Sequence, residues 1–598
     1  MQISLCPVSV IGLFKQPVFS MSSSSPLPIR RREPVAHQLP AELPPILQRL
    51  YASRGLTCAE QLNLQAGALH KPVFKGMGEA VQLLVQALDE QQRILIVGDF
   101  DCDGATSSAL MVHGLRAMGA QQVGYLVPNR FDYGYGLSPQ VVEEAAKLGA
   151  ELLITVDNGI SSISGVAAAR AAGMKVIVTD HHLPGDELPE ADAIVNPNQH
   201  HCEFPSKNLA GVGVAFYLLL ALRSALGERG WFEQRHIRPP NMADYLDLVA
   251  LGTVADVVAL DGNNRVLVHQ GLQRMRAGRL RPGIQALIDI SGRNQSRLVA
   301  SDLGFALGPR LNAVGRLDDM SMGVACLLCE DINEARRLAA QMDELNRERK
   351  AIESSMQQEA LATLAKVRIS DGELPSGLVL HQDDWHQGVV GLVASRIKEQ
   401  YYRPVIAFAE AGEDELKGSG RSIPGVHLRD LLDAINTRHP NLIAKFGGHA
   451  MAAGLSLSKD ALIPFKQAFE QMVHEWVSPE LLTGEILSDG ELTPAELTLE
   501  LAEQLRFAGP WGQAFPEPLF DGEFRIIQQR LVGDKHLKLV LSPDEGRTVI
   551  DAIAFNVDLA IWPNAAIQKV QLVYKPDVNE WKGRCQLQLL VERLAPLS

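Results

Sequence analysis

The sequence lacks several features that would place it in particular classes of protein. No apolar run reaches the roughly 18 uninterrupted residues of a membrane-spanning helix, because Gly, Ser, Asp or Lys interrupts each long one. Cysteine is scarce, and seven scattered residues do not form a disulfide framework, so we expect a cytoplasmic protein outside the membrane. Positively charged residues are also fewer than negatively charged ones, with 56 Lys and Arg against 70 Asp and Glu. The net charge of -14 excludes a generally basic nucleic-acid coat but leaves room for a local basic channel.

Length and composition indicate a folded protein of several domains. At about 150 residues per domain, the 598 residues give a prior of roughly four units. The hydrophobic fraction of 46% and the charged fraction of 21% are typical of globular proteins. Residues 1–34, with a run of Ser and a trio of Arg, are predicted to be a disordered extension, in which Met21 is a second candidate start.

From about Arg93 the sequence alternates short apolar runs with helical stretches, which predicts an α/β fold with a parallel sheet covered by helices. The predicted strands are Ile94–Gly98, Val123–Val127, Leu152–Val156 and Val176–Thr179, and the predicted helices are Ala105–Met118, Ser138–Leu148 and Ser161–Ala172. We assign residues 35–329 to this first domain.

Three further units are predicted downstream. Residues 330–366 form a charged stretch without Gly or Pro, which indicates one long connecting helix with little apolar face. Residues 367–480 return to α/β patterning and predict a smaller second domain. Residues 481–598 contain five β-like runs separated by turns, which is typical of a small barrel that binds oligonucleotides.

Chemistry-bearing side chains follow three of the strands in the first domain. The segment GDFDCDG places Asp99, Asp101 and Asp103 after one strand, in positions that would face one way if the strand continued. Asp157 follows another strand, and His181 and His182 follow a third. The carboxyl ends of parallel strands share one edge of the sheet, where open α/β sheets bind ligands. We therefore expect these side chains to share one crevice.

Crowded carboxylates raise one another's pKa, and a divalent cation is their natural neutralising partner. Oxygen ligands with imidazoles suit Mn²⁺, or Mg²⁺ with less nitrogen ligation. An exposed acidic turn is the alternative for the first cluster alone. Asp256, in the helix-like run LVALGTVADVV, needs a partner among its apolar neighbours, which a metal, a cap or an ion pair would each provide.

Four motifs, GDFDCDG, TVDNGI, TDHH and GTVADVV, resemble in order and spacing the motifs of the DHH phosphoesterases, and GGHAMAAG resembles the glycine-rich motif of their accessory DHHA1 domain. The resemblance implies a catalytic site with two Mn²⁺ or Mg²⁺ ions. It assigns catalytic and metal-binding roles to Asp101, Asp103, Asp157, His181, His182 and Asp256, with Asp99 as a further metal ligand or a close neighbour of the ligands.

Glycines and arginines in the remaining motifs are candidates for phosphate binding, because Arg supplies forked donors and Gly permits close backbone approach. The predicted substrate-binding residues are Arg130, Arg310, Arg316, Ser419, Arg421, Gly447, Gly448 and His449. For any single Arg a surface ion pair is the commoner explanation. The alternative for the GGHAMAAG segment is a tight turn that enters a helix.

The length, the long helix and the terminal barrel make the chain most similar to the single-strand-specific DNA exonucleases of this superfamily. That resemblance implies 5′ to 3′ hydrolysis of phosphodiester bonds to 5′-mononucleotides in DNA recombination and repair, by a monomer that works with a single-stranded-DNA-binding protein and a helicase. Two alternatives are a DHH phosphoesterase of short oligonucleotides or cyclic dinucleotides and a non-catalytic scaffold that binds single strands. The scaffold would be expected to have eroded metal motifs, whereas every expected acid and histidine is present.

Overall fold

The computed structural model describes residues 28–129, 133, 136–371, 374–581 and 583–597. Arg130 and most of the adjacent FDYGYG turn lie outside the described residues, as does the extension up to residue 27.

The first domain contains a five-stranded parallel sheet in the order β3-β2-β4-β5-β6. Its elements, with the short strand and helix that precede them, are β1 (Ile29–Arg31), α1 (Pro45–Ala52), α2 (Met77–Asp89), β2 (Ile94–Val97), α3 (Cys102–Ala117), β3 (Val123–Leu126), α4 (Pro139–Lys147), β4 (Leu152–Val156), α5 (Ile163–Ala171), β5 (Lys175–Thr179) and β6 (Ala193–Val195). Every residue of β2 and β4 is buried, as expected for strands covered on both faces. The predicted parallel sheet is confirmed.

A helical region completes this domain. Its helices are α6 (Gly211–Glu228), α7 (Trp231–Gln234), α8 (Leu246–Ala255), α9 (Gly262–Arg276), α10 (Pro282–Ser291), α11 (Ala300–Asp302), α12 (Gly308–Leu317) and α13 (Ser321–Leu328). Helix α6 is long and apolar enough to cross a membrane by length and composition alone. Its apolar residues from Val212 to Leu219 are buried in the protein core, so packing within the domain accounts for its composition.

The long helix α14 (Ile332–Asp371) joins the two α/β domains, and the described end lies five residues beyond the predicted one. Its charged sequence conceals two separate apolar patches. Ala335, Leu338, Ala339 and Met342 pack into the core of the first domain, whereas Met356, Ala360 and Leu364 pack into the core of the second. The helix as a whole has little apolar face, as expected, and its few apolar residues form two short patches that each pack against a different core.

The second domain is a mixed sheet in the order β10-β11-β9-β8-β7, in which only β7 and β8 run parallel. Its elements are β7 (Leu378–His381), α15 (Val390–Tyr401), β8 (Val405–Glu410), β9 (Glu415–Arg421), α16 (Leu428–Arg438), β10 (Lys445–Gly448), β11 (Ala452–Ser458) and α17 (Leu462–Trp476). The smaller α/β domain predicted here is confirmed.

The C-terminal part is a closed five-stranded barrel in the order β13-β14-β15-β17-β16. Its elements are β12 (Ile486–Ser488), α18 (Leu499–Phe507), β13 (Phe520–Val532), β14 (His536–Ser542), β15 (Ile550–Ala554), β16 (Lys569–Trp581) and β17 (Arg584–Leu597). All five predicted barrel strands occur. The apolar runs at residues 524–532, 570–574 and 585–591 mark only parts of β13, β16 and β17, because the ends of these strands carry polar residues.

The extension predicted to be disordered contributes a strand. Residues 29–31 pair in parallel with β12, so the prediction of disorder over residues 1–34 is wrong at this strand. Arg31 of this strand also donates to Asp521 at the start of the barrel. Contacts between such distant parts of the chain leave no periodic signal in the sequence. A second ion pair between the two ends of the chain lies nearby. Arg54 donates to both carboxylate oxygens of Asp489 at 2.9 Å, and both side chains are 1% exposed.

Replacing Arg54 by Leu leaves the buried Asp489 carboxylate with only the more distant cation of Arg32, at 4.0 Å, and we expect the free energy of unfolding to fall by about 3 kcal/mol. Differential scanning calorimetry should show a lower first transition temperature. The matched control is Arg30→Leu, whose ion pair with Glu485 is more than half exposed, and we expect a change within about 0.5 kcal/mol. Equal shifts for the two variants would contradict the anchoring role of Arg54.

Candidate metal centre and substrate cleft

The first acidic cluster lies where β2 gives way to α3. The strand ends at Val97 and the helix begins at Cys102, so the three carboxylates do not continue a strand as the sequence pattern suggested. Asp101 caps the helix, since its Oδ1 accepts from the N–H groups of Asp103 at 2.9 Å and Gly104 at 3.0 Å. A Cβ atom on Gly104 would lie 2.4 Å from the carbonyl oxygen of Asp99, so the turn requires Gly there.

Asp103 is completely buried between two helices. Its carboxylate accepts from the first N–H groups of α6, at 2.6 Å from Gly211 and 2.9 Å from Val212. The partial positive charge of a helix N-terminus favours a carboxylate in this place. Gly252 of α8 lies against the same side chain, where a Cβ atom would come within 2.8 Å of Oδ1. Two helices therefore fix the orientation of Asp103.

Asp157 follows β4 in a left-handed backbone conformation with φ of 61°. This conformation is rare for residues with a side chain, although Asp and Asn tolerate it better than most. A Cβ atom on Gly211 would lie 2.5 Å from the Cβ of Asp157, so Gly is needed at the start of α6 for this aspartate to fit. The chain thus turns the carboxylate into the crevice at the edge of the sheet.

The Asp-His-His segment follows β5, and Asp180 organises it. Its Oδ2 accepts from Ile160 N at 2.9 Å, and its Oδ1 accepts from His181 N at 2.7 Å. The same oxygen lies 2.7 Å from Nδ1 of His182, which fixes the orientation of that imidazole. Asp180 was not among the predicted site residues, although its place in the motif was the available signal.

The structure brings all seven predicted metal ligands together. His181 Nε2 lies 3.1 Å from Asp157 Oδ1 and 3.5 Å from Asp256 Oδ2. Three overlapping groups have ligand atoms within 4.8 Å of one another, and they are Asp99, Asp101 and Asp157; Asp103, His181 and Asp256; and Asp157, His181 and His182. Carboxylates and imidazoles in such groups are a donor set for Mn²⁺ or Mg²⁺.

The electrostatics of the site favour a bound cation. Burial and the charges of neighbouring carboxylates raise the pKa of Asp103 and of Asp256 to about 7 each, and raise the pKa of Asp157 well above its ordinary value. Burial and the adjacent His182 lower the pKa of His181, which keeps its imidazole neutral, as a ligand must be. Burial alone would lower the pKa of His182, but the hydrogen bond with Asp180 raises it to about 9.

Two buried polar atoms give an independent test of the fit to a metal. Nε2 of His181 and Oδ2 of Asp256 are buried and form no hydrogen bond within the described part of the chain. Buried polar atoms are normally satisfied, and such an exception calls for a partner. A metal ion would be the partner of both atoms, so the residues present fit a metal centre.

A cleft of about 190 Å³ lies between this centre and the second domain. Phe100, Asp101, Asn312 and Arg316 line it from the first domain, and Gln387, Gly388, Gly391, Ser419 and Arg421 line it from the second. The predicted residues Arg316, Ser419 and Arg421 therefore lie in one cleft with a predicted metal ligand. Asn312 and Gln387 were missed, because only the tertiary fold brings them there.

Arg421 is a partly buried cation in this cleft. Its Nη1 donates to Gly420 O at 2.8 Å, and no carboxylate of the described residues lies within 4 Å of its guanidinium. Burial lowers its pKa. A buried guanidinium without a carboxylate partner is costly, and an anion in the cleft would offset that cost.

The GGHAMAAG segment forms the hairpin of β10 and β11, in which Gly447 pairs with Gly454. The alternative of a turn entering a helix is therefore wrong. Gly448 has φ of 139°, and a Cβ atom there would lie 2.5 Å from Ala452 O. His449 is exposed beside this turn, and partial burial together with the charge of His182 lowers its pKa. The hairpin thus lies within electrostatic reach of the metal centre.

Arg310 has a different environment from the one expected of a substrate-binding residue. It forms an ion pair with Asp343 of α14 at 2.8 Å and donates to Ala306 O at 2.6 Å. It is absent from the residues that line the cleft. The structure therefore places Arg310 in a contact between helices, which is the alternative stated for any single Arg.

Models of three protein families match the chain. The DHH family N-terminal domain matches residues 93–253, the DHHA1 domain matches residues 374–475, and the RecJ OB domain matches residues 488–593. The matches follow the three structural units in order.

Curated relatives match over nearly the whole chain. Proteins named single-stranded-DNA-specific exonuclease RecJ from Salmonella typhimurium and Escherichia coli are each 58% identical over 571 residues, covering 95% of this chain and 99% of the relative. The Bacillus subtilis protein of the same name is 33% identical, covering 92% of this chain and 68% of the relative. A crystal structure of RecJ in complex with Mn²⁺ from Thermus thermophilus is similar with a TM-score of 0.75 at 29% identity, over 95% of this chain and 80% of that one.

Metal affinity should depend on pH. The ordinary pKa of Asp103 and Asp256 is 3.8, and in the folded protein both are raised to about 7. Protonation of these two carboxyl groups therefore stabilises the metal-free protein fully below about pH 4, and this stabilisation is lost as the pH rises through 7. Mn²⁺ binds the ionised carboxylates. We expect its apparent Kd to be at least about tenfold lower at pH 8 than at pH 6.

Isothermal titration calorimetry at the two pH values measures this difference, and differential scanning calorimetry should show a larger Mn²⁺-induced rise in Tm at pH 8. The surface variant Asp89→Asn is the control and should behave as wild type, because its ion pair with Arg229 lies at the surface. An Mn²⁺ affinity independent of pH between 6 and 8 would contradict the raised carboxyl pKa values.

Proposed function

This chain belongs to the RecJ family of DHH phosphoesterases, and we propose that it is a metal-dependent exonuclease specific for single-stranded DNA. The observation that carries the proposal is the cluster of seven ligand side chains beside a cleft that contains an arginine without a carboxylate partner. Each part suits a phosphodiester, since the ligands suit divalent cations and the cleft suits an anion. The reaction is hydrolysis of phosphodiester bonds.

The residues that would hold two Mn²⁺ or Mg²⁺ ions are Asp99, Asp101, Asp103, Asp157, His181, His182 and Asp256. Bound divalent ions acidify a water molecule and neutralise the charge that develops on the phosphate. Asp157 and His181 each belong to more than one ligand group, which suits a pair of neighbouring ions. The N-termini of α3 and α6 hold Asp101 and Asp103 in place before substrate arrives, which lowers the cost of organising the site.

His182 lies at the edge of this site, where a metal ion and a proton would compete for its Nε2. Its hydrogen bond with Asp180 and its pKa of about 9 keep the metal-free imidazole protonated at neutral pH, and 35% of the side chain is exposed. Without a metal on Nε2 this imidazolium would donate a hydrogen bond to a phosphate oxygen, and with a metal bound it would serve as a ligand. Neutral His181, by contrast, is suited to metal ligation.

The cleft between the two domains binds the strand. Phosphate is contacted there by Arg421, Ser419 and Arg316. The neighbouring hairpin carries Gly447, Gly448 and His449, and the charge of His182 lowers the pKa of His449. A cleft between two domains joined by one helix accepts a flexible single strand more readily than a stiff duplex. Digestion from the 5′ end to 5′-mononucleotides and a role in recombination and repair rest on the family resemblance.

The partners and surroundings proposed for this chain have the same basis. We propose that it acts as a cytoplasmic monomer together with a single-stranded-DNA-binding protein and a DNA helicase. The barrel of residues 520–597 is a further surface for the strand, because barrels of this type bind single strands through cations and stacking side chains.

The first test uses long single-stranded DNA labelled at either end, with Mn²⁺. We expect wild type to release the 5′ label first as a mononucleotide, and Asp157→Asn to lose at least about 100-fold in kcat, because a ligand of the site is removed. Asn tolerates the left-handed backbone at this position, so the change is local. Asp89→Asn should retain wild-type activity.

The outcomes separate the candidate functions. Cleavage of a dinucleotide without cleavage of long DNA would indicate a phosphoesterase of small nucleotides. If the protein neither bound Mn²⁺ nor cleaved DNA, the result would indicate a scaffold that binds DNA. Early release of the 3′ label would overturn the proposed polarity while leaving the nuclease activity in place.

Arg421→Gln removes one phosphate contact. In the slowly cleaving Asp157→Asn background, we expect the affinity for a single strand to fall about tenfold and the slope of log K against log salt to decrease by about 0.7. Fluorescence anisotropy over a salt series measures both quantities. Arg438→Gln, in an exposed ion pair with Glu475 of the same domain, is the matched control. An unchanged salt slope would contradict a phosphate contact at Arg421.

A further inference from the structure

Helix α12 lies between the metal centre and the second domain. On one side, a Cβ atom on Gly315 would lie 1.7 Å from the carbonyl oxygen of Phe100, so the helix packs directly against the acidic turn. On another side, Nη1 of Arg316 donates to Gly388 O of the second domain at 2.9 Å. A side chain between these two contacts lies next to the acidic turn, which carries metal ligands, and next to the substrate cleft.

Asn312 occupies that position. Its Oδ1 accepts from the N–H of Cys102 at 2.7 Å, and Cys102 is the first residue of α3. The first N–H groups of a helix have no partner within the helix. Asp101 satisfies the next two, so Asn312 and Asp101 together satisfy the first three donors of α3. The side chain of Asn312 therefore helps to hold the turn that carries Asp101 and Asp103.

This hydrogen bond also fixes the orientation of the Asn312 amide. A backbone N–H can only donate, so the atom that faces it must be the oxygen, and the NH₂ group is turned elsewhere. Nδ2 forms no hydrogen bond with any described residue, and Asn312 lines the cleft beside Asp101, Ser419 and Arg421. An amide NH₂ in a cleft suited to phosphate has a natural acceptor in a phosphate oxygen.

We propose that Asn312 has two roles in the reaction. Its Oδ1 positions the first turn of α3, and with it Asp101 and Asp103, while its Nδ2 donates a hydrogen bond to a phosphate oxygen of the strand in the cleft. The second role rests on the proposed function. The first role concerns metal binding alone and is measured without DNA.

Two substitutions at this position separate the roles. Asn312→Asp keeps an acceptor for the Cys102 N–H but replaces the NH₂ donor by a negatively charged oxygen. Asn312→Leu has a similar volume and removes both groups. Asn333→Asp is the matched control, because Asn333 is exposed at the start of α14 and the same charge is added outside the cleft.

We expect Asn312→Asp to bind Mn²⁺ at least as tightly as wild type and to have a KM for single-stranded DNA raised at least about tenfold. We expect Asn312→Leu to bind Mn²⁺ at least about tenfold more weakly and to lose kcat as well. Mn²⁺ affinity is measured by calorimetry, KM and kcat by nucleotide release, and folding by circular dichroism. Asn333→Asp should match wild type in every measurement.

A wild-type KM in Asn312→Asp would overturn the phosphate contact. Wild-type Mn²⁺ affinity in Asn312→Leu, or loss of Mn²⁺ affinity in Asn312→Asp, would overturn the positioning role. Absence of cleavage by wild type would overturn the proposed function instead, and the Mn²⁺ affinities of the variants would still decide the positioning role.

Discussion

Repulsion among buried carboxylates at the carboxyl edge of the first sheet is the constraint on which the rest of this structure depends. Burial and mutual repulsion raise the pKa of Asp103 and Asp157, so the cluster is unfavourable unless fixed donors and cations compensate. The N-termini of α3 and α6 provide the donors, and Gly104 and Gly211 allow the close backbone approach that this requires. The carboxylate oxygens that the helix N-termini do not hold would bind the divalent metal ions.

The sheet and the grouping of the candidate ligands at its edge could be predicted from the sequence, because both depend on local patterns. Each strand is a short apolar run, and parallel strands bring the residues that follow them to one edge. This is why the sequence assigns Asp157 and His181, which are 24 positions apart, to one site. The resemblance to the DHH phosphoesterases added Asp256, whose helix gives no local sign of a metal.

The remaining features depend on contacts between distant segments. Asn312 lies 210 residues from Cys102, the apolar patches of α14 each match a different core, and β1 pairs with a strand at the other end of the chain. None of these contacts produces a periodicity. The ion pair of Arg310 with Asp343 has the same origin, which is why the motif that predicts substrate binding gives no sign that this arginine joins two helices.

The net charge of -14 is compatible with a DNA substrate for a related physical reason. A protein that coats DNA needs many cations, because each phosphate contact displaces a counterion. A hydrolase needs only a few phosphates held beside its metals, so a few buried cations without carboxylate partners suffice. Arg421 satisfies that description, since burial makes its interaction with a phosphate stronger than a surface arginine would achieve. Specificity for the strand then arises from the position of such groups beside the metal centre and not from the overall charge of the protein.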